Sequence, residues 1–226
     1  MPYRSKPGIR PKKKNRPNLP YSAFPLEVTL ETLSKSRLEH GITRDSKILE
    51  IGSGSGRLAN YLTRKFKIDP TNYWLTDASY GKKETWAIKG RLHRLRRKGL
   101  RKQYLDYLHP SLPRNAKFDK IIANEVLGSV VRNQLPEEKV ILRLPSHYLA
   151  MQAQSLKILV ENFFPHLKVG GELFASSIWI MALEESPYGR RLKAKLENWR
   201  KRGIIEYDIP YPSTGVISGF YLKRLQ

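Results

Sequence analysis

The stretch from Lys47 to Phe66, KILEIGSGSGRLANYLTRKF, limits what this chain can fold into more than any other. An apolar run (Ile48, Leu49, Ile51) carries one acid, Glu50, and gives way to Gly52, Ser53, Gly54 and Gly56. Leu58, Leu62 and Phe66 then recur at helical spacing. The pattern predicts a buried strand, a glycine turn and an amphipathic helix. Glycines lack a Cβ, so they admit positive φ and let a ligand approach the backbone beside the free N–H groups of a helix start. A cradle for a nucleotide or cofactor and a plain tight turn both satisfy such a pattern. The rest of the chain has to decide between them.

Further strands are predicted at Asn72 to Ser79 (NYWLTDAS, ending at Asp77), Lys102 to Leu105 (before Asp106 and Tyr107) and Phe118 to Ala123 (FDKIIA, before Asn124 and Glu125). Gly170-Gly171 predicts a turn into a fifth strand, Glu172 to Ile178, and Ile204 to Ile209 and Val216 to Leu222 read as two final strands. Helices are predicted from Pro25 through Leu38, over a basic segment from Lys82 to Lys98, from about Ser146 through Phe163, and over 187–202. Strands alternating with helices give an α/β, Rossmann-like, doubly wound and mostly parallel sheet with helices on both faces; two consecutive final strands give it a C-terminal antiparallel hairpin. At 226 residues the chain suits one such domain, over 26–226. Residues 1–25, with six prolines and KKK at 12–14, read as a flexible basic arm.

The chain has no cysteine, which excludes disulfides, thiolate metal sites and cysteine nucleophiles. Its five histidines show no ligand spacing, so no metal is expected. The longest apolar run, Leu173 to Leu183, is too short to span a bilayer, and the basic N-terminus leads into no apolar segment of the secretory kind. A cytoplasmic protein with no membrane partner is the expectation. The net charge of +22 resides in three segments, 1–20, 81–102 and 188–202, whose combined excess equals the whole. A neutral body with three basic patches predicts a polyanionic partner such as RNA, held by phosphate contacts that weaken with salt. A merely solvated basic surface is the alternative. Nothing in the sequence speaks to oligomeric state.

In an open α/β sheet, ligands bind beyond the carboxyl ends of the strands where strand order reverses. Glu50 with the glycines, Asp77, Asp106 and Asn124-Glu125 all fall at such ends. Asp77 follows Gly56 by 21 residues, about the separation at which a second-strand acid meets a ribose hydroxyl.

LEIGSGSGRLA (49–59), WLTDAS (74–79), YLDYL (104–108) followed by Pro113, FDKIIANEVL (118–127) and LKVGGELFAS (167–176) together resemble the class I S-adenosylmethionine-dependent methyltransferases, over about Leu26 to Leu225. The resemblance implies S-adenosyl-L-methionine as cofactor. Glu50 and the loop of Gly52, Ser53, Gly54 and Gly56 would hold its methionine moiety. Asp77 would take the ribose hydroxyls, Asp106 the adenine amino group with the Tyr107 backbone beside it, and Asn124 would lie near the methionine end and the substrate. A dehydrogenase is the rival Rossmann reading, which the acid at Glu50 and the FDKIIANE string fit poorly. Glu125 is the candidate catalytic base, with Asn124 beside it, and a structural role for Glu125 stays open. Asp119, at a strand start, reads as structural.

Absences narrow the acceptor. Methylation of pyrimidine carbon 5 usually needs a cysteine nucleophile. Exocyclic amino methyltransferases resemble one another in an Asn/Asp-Pro-Pro-aromatic motif, where this chain reads Asn124-Glu125-Val126-Leu127. A ring nitrogen or ribose hydroxyl of RNA, or a nucleoprotein, is left. The alternatives are protein methylation, since ANEVL also resembles a family of protein-arginine methyltransferases linked to respiratory-complex assembly, and a non-catalytic nucleic-acid-binding protein on this fold.

Overall fold

Strand β1 (Ile48–Ile51) is buried at every residue and lies in the middle of a sheet. The computed structural model describes residues 26, 30–31, 33–53, 56–77, 100–104, 110, 112–123, 145–209 and 217–226. The expected arm (1–25) and the expected basic helix (82–98) lie outside the described residues. Around β1 the strands are β2 (Tyr73–Asp77), β3 (Arg101–Tyr104), β4 (Phe118–Ala123), β5 (Leu167–Trp179), β6 (Ile205–Asp208) and β7 (Ile217–Arg224), in the order β3-β2-β1-β4-β5-β7-β6. Pairings from β3 through β5 are parallel, and β7 runs antiparallel to both β5 and β6. This is the expected doubly wound sheet with its antiparallel pair.

Side-chain alternation along the strands divides the core in two. Leu49, Ile51, Ile121, Leu173 and Ala175 face α3 (Pro145–Phe163) and α5 (Pro187–Lys201), which contribute Leu156, Val160, Phe163, Leu192 and Leu196. Ile48, Tyr73, Leu75, Ile122 and Phe174 face α1 (Lys35–Glu39) and α2 (Arg57–Phe66), which contribute Leu38, Leu58, Ala59 and Leu62. Helix α5 begins where the sequence signals it. Pro187 takes the first helical position, and the Ser186 hydroxyl accepts the N–H groups of Tyr188 (3.2 Å) and Gly189 (3.3 Å).

Three expectations need correction. The single helix expected from Pro25 to Leu38 is interrupted at Ser34, which adopts φ 56. Leu33 and Leu38 would lie about 140° apart on one continuous helix; the break lets both reach the core, at 2% and 0% exposure. Strand β5 starts at Leu167 rather than Glu172. Its register against β4 shifts between Phe118↔Leu167 and Lys120↔Glu172, so Gly170-Gly171 lies within a strand irregularity and not before the strand. The apolar run to Leu183 conceals a helix, α4 (Ile180–Glu184), whose Ala182 packs with Leu149 and Ala153 of α3.

An ionic network lies within the second core layer. The Lys120 ammonium, 4% exposed, pairs with Glu172 and sits 5.2 Å from the centroid of the Phe174 ring. The Tyr221 hydroxyl donates to the other Glu172 oxygen at 3.0 Å. Burial pushes Lys120 below its ordinary pKa, with Glu172 opposing the shift. Burial also pushes the Tyr221 hydroxyl up, reinforced by Glu172. Asp119 has the structural place expected of it, accepting the Lys47 N–H (2.7 Å) and pairing with Lys168 (2.7 Å).

Candidate functional site

The chain leaves β1 toward β2 and β3 on one side and returns to β4 on the other, so strand order reverses at β1. Registers Ile51↔Thr76, Ile51↔Ala123 and Asp77↔Tyr104 bring the carboxyl ends of β1, β2, β3 and β4 to one edge. The glycine turn emerges at that switch point, where open α/β sheets bind their ligands.

Gly52 turns the chain out of β1 at φ 69, a conformation that costs a residue with a side chain about 1–2 kcal/mol. The Ser53 N–H donates to the Thr76 carbonyl at 3.0 Å, and the Ser53 hydroxyl donates to the same oxygen at 3.3 Å. These bonds fasten the turn to the end of β2. The Gly56 N–H donates to the Ser53 carbonyl at 2.7 Å, closing the loop. Gly56, again at φ 69, occupies the cap position of α2 without a side-chain cap bond. The first-turn N–H groups of α2, which have no intrahelical acceptor, receive no cap bond from the side-chain-less Gly56 and are of the kind that suits a carboxylate or phosphate ligand.

Beneath this turn lies Glu50, 1% exposed, with the Tyr73 hydroxyl donating to its carboxylate at 2.8 Å. The Thr76 hydroxyl donates to the Glu50 carbonyl at 2.8 Å. Tyr73 and Thr76 are both fully buried. Together they tie the acid and the turn to β2, and the sequence reading overlooked both. The available signal was the polar Thr76 between Leu75 and Asp77, inside a strand otherwise made for burial.

No protein-family model matches the chain, and no curated protein sequence matches it. Solved structures do. A ribosomal protein L11 methylase from Lactobacillus delbrueckii subsp. bulgaricus superposes with a TM-score of 0.50 at 19% identity, over 87% of this chain and 80% of that one. An S-adenosylmethionine-dependent methyltransferase from Clostridium acetobutylicum gives 0.53 at 15% identity, over 91% and 94%. The glycopeptide N-methyltransferase MtfA, solved with sinefungin, gives 0.50 at 13% identity, over 87% and 93%. The chain has the class I methyltransferase fold.

Within this methyltransferase fold, five of the sequence-predicted residues fall among the described ones. Glu50, Gly52, Ser53 and Gly56 come together at the switch point, and Asp77 ends β2 beside them, opposite Tyr104 of β3. The carboxylate of Glu50 lies in the sheet layer under the turn, on the Tyr73 hydroxyl. Gly54, Asp106, Tyr107, Asn124 and Glu125 lie outside the described residues. Of the three basic segments, the structure describes 188–202 and only residues 100–102 of the second. Among the described residues, no helix is long and apolar enough to cross a membrane.

Proposed function

We propose that this chain is an S-adenosylmethionine-dependent methyltransferase acting on RNA, alone or within a nucleoprotein, at a ring nitrogen or a ribose hydroxyl. One observation carries the reading. A glycine turn with two residues at φ 69 leaves the switch point of the sheet, fastened to β2 by Ser53 and Thr76, and opens onto the start of α2, whose cap position is Gly56.

The residues present fit the cofactor. The turn offers backbone N–H groups for a carboxylate, and Gly52 and Gly56 leave room for close approach. Asp77 at the end of β2 suits paired ribose hydroxyls, and the acid at Glu50 suits a cationic ligand, because a carboxylate in a low-dielectric layer favours positive charge nearby. When bound, such a cofactor supplies an electrophilic methyl group on a sulfonium. The protein's part is to align an acceptor in line with that methyl and to exclude water. Glu125, two residues beyond the end of β4 in sequence, is the proposed acceptor of any proton the nucleophile loses, and Asn124 its neighbour at the substrate.

The fold leaves the acceptor molecule open, since its structural neighbours include methylases named for a ribosomal protein and for a glycopeptide. The charge distribution supports RNA. Three basic segments hold the whole net charge of +22, the electrostatic footprint of a phosphate-backbone partner. The full chain, incubated with methyl-labelled S-adenosylmethionine and a cell extract, is expected to deposit label that nuclease removes and protease does not. Label removed by protease alone would replace RNA by a protein acceptor. Cofactor binding without any transfer, together with retained RNA binding, would favour a non-catalytic nucleic-acid-binding protein.

A further inference from the structure

The crevice lies at the carboxyl ends of the parallel strands; the opposite, amino-terminal edge carries a different chemistry. Four segments arrive there. Residues 114–117 lead into β4, 164–166 into β5 and 201–204 into β6, while β7 ends at Arg224, whose register partner is Ile205. Their contacts join them into one surface. The Lys117 ammonium donates to the Pro165 carbonyl, and His166 Nδ1 lies 3.0 Å from the Ala116 carbonyl. Phe164 and Trp199 pack with ring centroids 4.8 Å apart, and the Arg224 guanidinium lies 5.2 Å over Phe164.

Of the acids near this surface, Glu206 is exposed beside Ile205 with Lys223 as its register partner, and three others are engaged. Asp119 pairs with Lys168, Glu161 with Lys195 and Lys157, and Glu197 with Arg200 while also accepting from the Tyr207 hydroxyl. Arg114, Lys117, Lys201 and Arg202 are exposed and make no ion pair among the described residues, and Arg224 donates to the backbone carbonyls of Leu167 and Gln226. Around a half-buried aromatic pair, four exposed cations thus carry no ion pair among the described residues, and Arg224 lies over the Phe164 ring beside them. The other end of α5 is less one-sided: the Arg190 guanidinium donates to the Glu185 carbonyl, and Lys193 lines a cavity together with Glu184, with Arg191 between Arg190 and Lys193 in sequence. Gly189 pins that end against α4, because a Cβ there would lie 2.1 Å from the Ala182 carbonyl. Helix α5 is therefore held with one end near the carboxyl edge and the other at the amino edge.

We propose that the amino-terminal edge of the sheet is a docking surface for the phosphodiester backbone of a nucleic acid, held by Arg114, Lys117, Lys201, Arg202 and Arg224. Unpaired exposed cations interleaved with aromatic faces form the combination that grips such backbones, by counterion release and stacking. The surface is remote from the chemistry, since β4 alone, at about 3.3 Å per residue over six residues, separates the two edges by about 20 Å. A substrate that uses both must be a folded RNA large enough to wrap from one edge to the other. This deepens the RNA reading given above and rests on it, but it does not require methyl transfer.

The test uses the full chain and a labelled RNA hairpin of about 20 base pairs, with affinity measured across a salt series for wild type, R114E/K117E and K201E/R202E. These pairs lie on separate segments, and R191E/K193E at the other end of α5 is the comparison. Each amino-edge pair is expected to weaken binding at least tenfold and to lower the slope of log affinity against log salt by about 1.4 to 1.8, because two phosphates are no longer neutralised. R191E/K193E should weaken it less, and S-adenosylmethionine affinity should not change in either amino-edge variant. Wild-type binding of the hairpin with a steep salt slope that both amino-edge variants retain would overturn this proposal alone. Absence of salt-dependent RNA binding by wild type would overturn the RNA reading with it. Loss of binding to phosphatidylserine vesicles in the variants, with RNA affinity intact, would reassign the surface to a lipid headgroup and also overturn the proposal.

Discussion

Replacing Glu172 by leucine is expected to destabilise the fold by about 3–5 kcal/mol, because it leaves the Lys120 ammonium buried without its counter-ion. The size of the effect comes from burial. Lys120 is 4% exposed and its carboxylate partner 13%, so water cannot replace the missing charge without opening the layer. The Tyr221 hydroxyl, which donates to Glu172 at 3.0 Å, is deprived of its acceptor in the same step. Lys120→Met combined with Glu172→Leu should recover most of the stability, since removing a buried pair together is often neutral or stabilising. Urea unfolding of the two single variants and the double variant measures this. A double variant as unstable as the sum of the singles would show that Lys120 and Glu172 contribute independently, and would contradict the unpaired-ammonium account. The network also sets a pH dependence. Burial puts the folded-state pKa of Lys120 below its ordinary value of 10.5. The unfolded chain then binds the extra proton in the window just below 10.5, so the Lys120 contribution to stability rises with pH there, while Tyr221, raised above its ordinary 10.0, contributes a fall from about that pH upward. Glu172→Leu should steepen that rise, because it removes the partner that opposes the shift.

Gly52→Val is expected to lower S-adenosylmethionine affinity at least 100-fold, equivalent to about 2.7 kcal/mol. Two effects are mixed in such a variant. One is backbone strain: a β-branched residue at φ 69 costs on the order of 1–3 kcal/mol of stability whatever lies nearby. The other is the branched side chain placed where the proposed ligand meets the turn. Gly41 separates them, because it has the same φ of 69 and a Cβ added there would meet nothing within 4 Å. Gly41→Val should show a comparable drop in melting temperature and an unchanged cofactor affinity. Equal affinities in the two variants would move the ligand away from the turn.

The strand–turn–helix unit was legible because its constraints are local. Burial of Ile48 to Ile51, positive φ at Gly52 and Gly56 and the i, i+4 spacing of Leu58 and Leu62 are all written within about twenty residues, and the structure has each of them. The final strand pair and α5 were legible for the same reason. The rest is set by pairings distant in sequence. Lys120 and Glu172, 52 residues apart, have no local signature; each residue alone reads as a polar interruption of an apolar strand. Helix α4 was hidden because an apolar run has the same composition whether it continues a strand or turns onto α3, and only Leu149 and Ala153 decide between them. The left-handed Ser34 was illegible because serine seldom adopts that conformation, and the demand comes from burying Leu33 and Leu38 together. In the site itself, Glu50 was visible as a residue type. Its anchoring by Tyr73, 23 residues away, was not.

Isothermal titration calorimetry of the full chain with S-adenosylmethionine decides whether the switch-point turn holds this cofactor. Saturable binding at one site per chain is predicted, accompanied by a rise in melting temperature. In Asp77→Ala the binding should be at least tenfold weaker while the ligand-free melting temperature stays the same. A folded protein that gives no binding heat and no thermal shift with millimolar cofactor would contradict the methyltransferase reading.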